Sequence, residues 1–473
     1  MINLGTKNQA AQKLASSFEG DSGKLTLDDG SRIGVIGGGP AGSFFAYFLL
    51  KMAESLGLRL TVDIYEPRFF NHIGPAGCNH CGGIVSESLV QLLATEGINL
   101  PPSVVQRGID SYMLHMDVGE VHIQTPLYEK RIAAVFRGNG PRESQVTDAH
   151  GFDRYLLELT SSIGANVVRK LVSSVNWRDD RPQLTAPDGS SEVYDLIAVA
   201  TGVNSQALQL FSRAAPLYKS PQTLRTFIGE FHLGKEVIEE CFGTSMHVFL
   251  LDLPRLEFAA IIPKGEFATL CILGHDVDEA LVDAFLNTPE VKRCFPGSVV
   301  PVPACHCFPL VNVETAVRPY ADRMVWIGDC GTARLYKDGI GSAYRMAKAA
   351  ARTVAFHGIS SNDFEQYFWP ACNKLNFDNM IAKAIFAATR LIQKGRFLRR
   401  AVLRMTANEQ SRKGIRRDMS NALWDVFTGS APYKEVLLRS FYPSFPLMLF
   451  WNLVVGNLPF TKQRRMEREL YER

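Results

Sequence analysis

Three glycines spaced as GxGxxG, at positions 37, 39 and 42, form the pattern in this sequence that predicts a function most directly. Gly37 permits a tight turn, Gly39 lets the backbone approach a pyrophosphate, and Gly42 allows a helix to pack closely on a sheet. A helix that starts in such a turn offers free N–H groups and the positive end of its dipole to phosphates. The pattern therefore predicts a site for the adenine dinucleotide part of a cofactor.

Cysteine and histidine side chains form a second group of residues that could take part in a reaction. Cys78 and Cys81 make a CxxC pair, with His80 between them and His72 shortly before. Such a pair often holds one thiol of lowered pKa, which suits a redox relay, and a histidine can donate a proton near neutral pH. The alternative is that these cysteines are buried residues with a purely structural role. Our preferred interpretation contains no metal, but one further alternative is a metal site built from Cys78, His80, Cys81, Cys305, His306 and Cys307.

The glycine pattern stands between two predicted strands. RIGVI, residues 32–36, is an apolar run that ends at glycines, which is typical of a central parallel strand. Apolar residues at helical spacing follow as far as Gly57, and LRLTVDIYEP then forms a second strand that ends at Glu66. Because an acidic residue in this position can accept hydrogen bonds from ribose hydroxyls, the βαβ unit supports the dinucleotide interpretation.

Later segments add strands that end in turns. Residues 193–205 (VYDLIAVATGVNS) and 323–331 (RMVWIGDCG) are predicted as such strands, and the second brings Asp329 to a loop. Residues 152–168 form a helix that runs into a strand. Short alternating segments from 206 to 317 predict an antiparallel sheet.

These segments, in this order, resemble the flavoprotein family that includes geranylgeranyl reductases and aromatic hydroxylases of the p-hydroxybenzoate hydroxylase fold. The resemblance covers about residues 32–355 and implies FAD as the cofactor. In the family a GD pair followed by GxG contacts the ribitol and the flavin, and an AxGxxS strand end completes the site. The residues that the resemblance and the glycine pattern assign to the cofactor are Gly37, Gly39, Pro40, Ala41, Gly42, Glu66, Arg68, Gly82, Gly83, Gly202, Gly328, Asp329, Gly339, Ile340 and Gly341.

The segment GCNHCGGIVSE is similar to the CGG motif of geranylgeranyl reductases, in which a cysteine lies beside the isoalloxazine. The matching residue is Cys81, and we predict it as catalytic together with His80 and Tyr336. Tyr336 stands where the family usually has a proline, and residues 258–265 (FAAIIPKG) keep little of the family's substrate-cavity motif. A single GxGxxG is present, so electrons would come from transiently bound NADPH or from a reduced electron carrier.

The C-terminal third is basic and apolar. Between Arg390 and Arg417, ten Lys or Arg residues and one acid, Glu409, alternate with apolar residues, as in helices that bind anionic membrane surfaces. The uncharged stretch from Ser440 to Thr461 has an apolar part too short to span a bilayer as a helix. We predict peripheral membrane contact through 390–417 and 440–465, with solvated helix faces covering a core as the alternative.

Bulk composition limits the remaining choices. A net charge of +3 without a recognition signature does not indicate a nucleic-acid partner. Nine irregularly spaced cysteines do not suggest a disulfide scaffold, and the polar N-terminus does not resemble a secretory signal. A cytoplasmic protein, peripheral on the membrane, is the resulting prediction.

The predicted fold is α/β, with a Rossmann-like FAD-binding domain, an inserted antiparallel-sheet substrate domain and a helical C-terminal region. We place a flexible leader at 1–30 and a discontinuous FAD-binding domain at 31–107, 148–205 and 318–358. The substrate domain takes 108–147 with 206–317, and the C-terminal region takes 359–473.

The predicted function is that of an FAD-dependent oxidoreductase that reduces C=C bonds of an isoprenoid or another apolar, membrane-derived substrate by hydride transfer. A redox partner protein would supply electrons if NADPH does not. Two alternatives share the fold: a flavin-dependent monooxygenase or halogenase, and a non-catalytic lipid escort protein.

Overall fold

The computed structural model describes residues 25–74, 81–126, 131–144, 151–412 and 416–457. Most of the predicted leader, as well as Cys78 and His80, lies outside the described residues. The strands, numbered in chain order, are β1 Arg32–Ile36, β2 Thr61–Tyr65, β3 Ile84–Val85, β4 Val105–Ile109, β5 Ser111–Met116, β6 Gly119–Gln124, β7 Ile132–Val135, β8 Asn166–Val168, β9 Ser174–Arg178, β10 Arg181–Thr185, β11 Ser191–Val193, β12 Leu196–Val199, β13 Thr223–Arg225, β14 Phe227–His232, β15 Ser245–Phe249, β16 Leu256–Lys264, β17 Phe267–Gly274, β18 Cys305–Cys307, β19 Leu310–Asn312, β20 Tyr320–Ala321 and β21 Met324–Trp326.

Of the helices that the structure describes, the first seven lie between strands and the other seven follow β21. The helices are α1 Pro40–Leu56, α2 Glu87–Thr95, α3 Phe152–Ser162, α4 Leu208–Ala214, α5 Lys235–Cys241, α6 Glu279–Leu286, α7 Pro289–Lys292, α8 Gly339–Phe356, α9 Ser361–Asp363, α10 Trp369–Lys394, α11 Arg396–Ser411, α12 Asp418–Thr428, α13 Tyr433–Ser440 and α14 Ser444–Gly456. A short 3₁₀ helix, Gly328–Cys330, follows β21.

A six-stranded sheet forms the first layer, in the order β20-β21-β12-β1-β2-β8. All its strands run parallel except β20 at the edge. β1 and β2 are buried along almost their whole length because helices and a small sheet cover both faces, which explains why they are mostly apolar apart from Arg32 and Asp63. Helices α1 and α8 pack against each other beside this sheet. The carboxyl ends of β1, β12 and β21 therefore lie side by side.

A seven-stranded sheet forms the second layer, in the order β18-β14-β17-β16-β15-β5-β6. The prediction of an antiparallel sheet over 206–317 needs one correction, because β15 pairs with β5 in parallel. β5 comes from an earlier part of the chain, and alternation of apolar residues does not reveal which distant strand becomes a neighbour. Helices α5, α6 and α7 cover one face of this sheet.

The C-terminal helices cover the other face of the seven-stranded sheet. Phe386 of α10, Trp424 and Phe427 of α12 and Tyr433 of α13 belong to the same buried cluster as the sheet side chains. Helix α11 buries Ala401, Val402, Leu403 and Met405 against β6 and the neighbouring helices. Within the described residues, every helix is too short or too polar to cross a bilayer.

The predicted fold class is confirmed. A Rossmann-like parallel sheet, a largely antiparallel second sheet and a helical C-terminal region are all present. Three smaller sheets, β9 to β11, β3-β7-β4 and β13-β19, were not anticipated from the sequence.

Candidate cofactor and substrate site

A continuous cleft opens where the parallel strands end. Gly37 follows β1, Ala200 follows β12 and Gly328 follows β21, and all three line the cleft. This is where open parallel sheets place their ligands, because loops from adjacent strands diverge there. From this edge the cleft continues along the seven-stranded sheet to the C-terminal helices.

Each of the three glycines in the GxGxxG pattern has a different structural role. Gly37 has φ 105° and a side chain on it would come within 2.6 Å of the Ala200 carbonyl oxygen. A side chain on Gly42 would collide with the Gly37 carbonyl oxygen. At Gly39 the nearest atom is the end of the Arg137 side chain, 3.3 Å away. Gly37 and Gly42 therefore serve the turn itself, whereas Gly39 keeps the cleft open.

Two helices begin at the cleft, α1 at Pro40 and α8 at Gly339. Neither has a side-chain cap, so the N–H groups of their first turns have no side-chain acceptor. Ala41 and Ile340 line the cleft beside these termini. Gly341 does not line it; a side chain there would strike the Asp338 carboxylate that packs against the helix start. Both dipoles favour negative charge in the cleft.

Glu66, the acidic residue at the end of β2, is buried and already bonded. It accepts hydrogen bonds from the Gly38 N–H (3.1 Å) and from the Arg68 N–H (3.0 Å), and its carboxylate is paired with the Arg68 guanidinium at 2.9 Å. Arg68 is half exposed and lines the cleft, whereas Glu66 does not. A contact between Glu66 and a ribose therefore requires Arg68 to give up part of this pairing.

Arg137 is a cleft residue that sequence reasoning missed. It lies two residues after β7, and its guanidinium pairs with the fully buried Asp153 carboxylate through two hydrogen bonds of 3.0 and 2.8 Å. Asp153 is on α3, so the ion pair joins the loop after β7 to the first turn of that helix. The sequence offered one signal, a basic residue directly after an apolar strand, but spacing alone did not connect it with Asp153.

Asp329 lies in the 3₁₀ turn after β21 and lines the cleft. Burial raises the pKa of its carboxyl, and the positive charge of Arg137 opposes that shift. Its carbonyl oxygen accepts a hydrogen bond from the Asn312 side chain at 3.0 Å, which fixes the turn. The preceding Gly328 packs so closely on α1 that a side chain would lie 2.7 Å from the Ala41 methyl group.

The CGG segment lies deeper in the cleft. Cys81 accepts a hydrogen bond from the Gly83 N–H at 3.3 Å, and Gly82 and Gly83 line the wall beside it. Gly83 has φ 66°, and a side chain there would meet the Val135 carbonyl and lie 2.9 Å from Lys264 Nζ. Lys264 is fully buried, and its Nζ lies over the Phe136 ring at 5.0 Å. A buried lysine side chain therefore lies behind the CGG backbone.

The far end of the cleft is an apolar chamber. Alternate residues of β16, namely Phe258, Ala260 and Ile262, point into it because side chains of a strand alternate between faces. These are the positions of the family's substrate-cavity motif. Other apolar walls come from Ile228, Met246, Val248, Leu273 and Phe427.

Tyr336 and Lys337 stand between the cofactor end and the chamber. Burial, with Glu257 nearby, raises the pKa of Tyr336 to about 12, so its hydroxyl is a weak acid at neutral pH. Burial and the neighbouring Arg334 lower the pKa of Lys337 to about 7. Lys337 Nζ donates to the carbonyl oxygens of residues 425 and 431 at 2.5 and 3.3 Å, which ties this loop to α12 and α13.

The structure thus brings most of the predicted site residues to one cleft. Gly202 lines it as well, whereas Gly42, Glu66 and Gly341 support it from behind. Cys271 of β17 also forms part of the wall, and burial raises the pKa of its thiol to about 12.

Comparison with known proteins defines the fold class. No protein-family model and no curated protein sequence matches the chain. Solved structures do match it. A flavoprotein/dehydrogenase from Cytophaga hutchinsonii has 14% sequence identity and a TM-score of 0.57, over 94% of this chain and 99% of that one.

Two further solved structures give the same picture. A variant of halogenase PltM in complex with FAD has 13% identity and a TM-score of 0.56, over 94% of this chain and 95% of that one. The p-nitrophenol 4-monooxygenase PnpA from Pseudomonas putida DLL-E4 has 14% identity and a TM-score of 0.52, over 91% and 100%. The chain therefore has the fold of FAD-dependent flavoproteins.

Proposed function

We propose that this protein is an FAD-dependent oxidoreductase that acts on an apolar substrate. One observation carries the proposal: a single cleft joins the glycine turn, two uncapped helix starts and Asp329 to a chamber of apolar side chains. A dinucleotide cofactor needs the first part, and an apolar substrate that reacts with its ring needs the second.

The residues present fit FAD. The open space at Gly39 and the start of α1 suit the pyrophosphate, with Arg137 beside them as a counter-charge. Asp329 suits a sugar-alcohol chain because its carboxyl accepts hydrogen bonds, and the start of α8 suits the edge of the ring system. Bound FAD would supply two-electron chemistry, including hydride transfer.

The protein's own groups would orient the reactants and adjust their charge. The apolar walls around Phe258 exclude water from the reaction. The dipole of α8 favours negative charge on a ring bound beside its first turn. The effect on the charge of the reduced cofactor would be the same for any substrate.

As the finer assignment we propose a reductase of C=C bonds in an isoprenoid or similar apolar molecule. Two features support the reductase proposal: Cys81 lines the cleft together with residues of the cofactor end and of the chamber, and the chamber is lined by apolar side chains. Cys81 is the residue proposed to supply a proton or position the substrate, since Tyr336 is too weak an acid. NADPH or a reduced carrier protein would provide the electrons.

The second candidate is a flavin-dependent monooxygenase or halogenase. Structures described as a monooxygenase and as halogenases have the same fold, which favours this candidate as much as the reductase. Reaction with oxygen separates the two. A reductase should reoxidise slowly in air and fast with an alkene substrate, whereas a monooxygenase should reoxidise fast in air when its substrate is present.

The test begins with the purified full chain. Oxidised flavin should give its two visible absorption bands, and dithionite under anaerobic conditions should bleach them. Reoxidation is then followed with oxygen alone, with polyprenyl lipids under nitrogen, and with both. A colourless protein that takes up no FAD would overturn the proposal and favour a lipid escort protein.

We also propose that the protein contacts anionic membrane surfaces through α14. Leu447, Phe450 and Trp451 are 69%, 65% and 63% exposed on this helix. Basic residues flank it: the Arg416 guanidinium lies 4.0 Å from the Tyr442 ring, and the Arg404 side chain packs near Gly456. Exposed aromatic residues beside arginines are the arrangement of interfacial helices.

A further inference from the structure

A buried cluster of two histidines and one cysteine lies outside the cleft. His115 Nε2 and His247 Nδ1 are 3.1 Å apart, His247 Nδ1 and Cys294 Sγ are 3.4 Å apart, and Cys294 Sγ and His115 Nε2 are 3.9 Å apart. All three side chains are almost completely buried. Three atoms that commonly bind metals thus meet at one point inside the protein.

The topology of the seven-stranded sheet brings these residues together. His115 is on β5 and His247 on β15, the pair of strands that run parallel, with His115 opposite Phe249 in the register. Cys294 follows α7, which packs over the same face. Met246 and Val248 line the cleft, so the side chain of His247 between them belongs to the opposite face of the sheet. The cluster is therefore separated from the proposed cofactor site by the sheet.

Neighbouring groups orient the two rings. Glu120 of β6 lies 3.1 Å from His115 Nδ1, and as an acceptor there it leaves the lone pair of Nε2 directed at the cluster. Phe249 stacks on the His115 ring with centroids 4.6 Å apart, and the Phe242 ring lies 4.9 Å from that of His247. A carboxylate behind a histidine is the usual second partner of a metal-binding imidazole.

We propose that His115, His247 and Cys294 bind one Zn²⁺ ion. A triangle with the observed sides has a centre about 2 Å from each corner, which is the length of a Zn–N bond and about 0.3 Å shorter than a Zn–S bond, so the Cys294 sulfur would move slightly outward. Binding needs the thiolate, so the thiol proton leaves to solvent, and the contact between Cys294 Sγ and the Glu290 carbonyl oxygen at 3.4 Å is given up.

Water would take the fourth position, since three protein ligands leave a tetrahedral zinc ion one open site. The ion would link β5, β15 and the segment after α7. Because the sheet separates it from the cleft, we assign it to the stability of the second layer and not to electron transfer. The assignment does not depend on the proposed flavin chemistry.

Metal analysis of the purified full chain tests the site. After zinc supplementation and desalting, wild type should carry about one zinc per chain, as for a tight protein site. Cys294→Ser and His247→Gln should carry less than about a tenth of that. Cys241→Ser is the matched control, because Cys241 is a half-buried cysteine on α5, and it should keep full occupancy. Glu120→Gln should weaken zinc binding by about 10–100-fold.

X-ray absorption at the zinc edge identifies the atoms bound to zinc in the wild-type protein. This test therefore does not depend on whether the variants fold. One sulfur and two imidazole nitrogens are expected in the first shell. A first shell without sulfur, wild type that takes up less than stoichiometric zinc, or unchanged zinc in Cys294→Ser would each overturn the site. FAD content, measured on the same samples, reports separately on the cofactor proposal.

Discussion

At the scale of residues, neighbouring positions of one motif have different tasks. Gly37 and Gly42 are needed by the backbone, because a side chain at either meets a carbonyl oxygen. Gly39 has φ −72° and faces only the end of Arg137, so a small side chain is compatible with the fold there. Function and folding can therefore be separated at this one position.

Gly39→Ala should fold normally but bind FAD at least about tenfold more weakly, since a methyl group enters the space left for the pyrophosphate. Flavin fluorescence titration of the apoprotein measures the change. Gly108→Ala is the matched control, because its added methyl also meets only the end of an arginine, Arg131 at 3.5 Å. Equal FAD affinity in Gly39→Ala and wild type would contradict the proposal that the pyrophosphate binds at this turn.

Arg137 combines a structural and a binding role. Arg137→Met removes both hydrogen bonds and the charge that Arg137 brings to the buried Asp153 carboxylate, which should lower the free energy of unfolding by about 3–5 kcal/mol. Adding Asp153→Asn should restore most of that stability but not the affinity for FAD. Arg154→Met, which breaks an exposed pair with Glu158, should cost less than about 1 kcal/mol. Urea unfolding and flavin titration give the two readouts; recovery of both in the double variant would make Arg137 purely structural.

At the scale of elements, the two basic and apolar segments of the C-terminus differ in how far their apolar side chains are buried. The prediction treated 390–417 and 440–465 alike as membrane contacts. In the structure α11 packs much of its apolar face against β6 and α14, and membrane contact through 390–417 stays a prediction. The largest group of exposed apolar residues is on α14 and around the end of α13, while Leu391 and Phe397 are exposed in the other segment. Membrane contact is therefore proposed for α14, with arginines of the other segment beside it.

Leu447→Asp with Trp451→Asp should reduce binding to vesicles of phosphatidylglycerol and phosphatidylcholine by at least about tenfold, because charged side chains resist insertion among acyl chains. Sedimentation with the vesicles measures the bound fraction. Trp177→Asp serves as a control, since Trp177 is 45% exposed on β9, away from α14. The same loss in Trp177→Asp, or no loss in the α14 variant, would argue against this surface.

At the scale of the whole molecule, the chamber is completed by parts of the chain that are far apart in sequence. Phe427 of α12 lies 5.2 Å from Phe258 of β16 between ring centroids, and Phe258 stacks on Phe386 of α10 at 5.9 Å. The C-terminal helices are therefore a wall of the site as well as a cover of the second sheet. Their loss would expose the apolar face of that sheet.

Phe427→Ala should lower the free energy of unfolding by about 3–5 kcal/mol, because it leaves a cavity between β16 and the helices. Phe397→Ala is the comparison, since Phe397 is 53% exposed on α11, and a change within about 0.5 kcal/mol is expected. Thermal unfolding checks both. A small effect for Phe427→Ala would mean that α12 does not hold the chamber wall.

The sequence by itself determined the cofactor end of the site. The glycine turn, the strand before it and the helix after it are consecutive, so their spacing carries the geometry, and the same is true of Gly328 to Gly341. Local patterns of this kind are legible because a few adjacent backbone angles and one helix dipole produce the function.

Only the tertiary structure decided the contacts between distant segments. Arg137, in the loop after β7, reaches Asp153 on α3; β5 joins β15 in parallel; and Phe427 closes a chamber whose floor is β16. The cluster of His115, His247 and Cys294 likewise depends on a strand register and on the loop after α7. None of these follows from sequence spacing, because side chains separated by long stretches of chain meet only when sheets and helices pack.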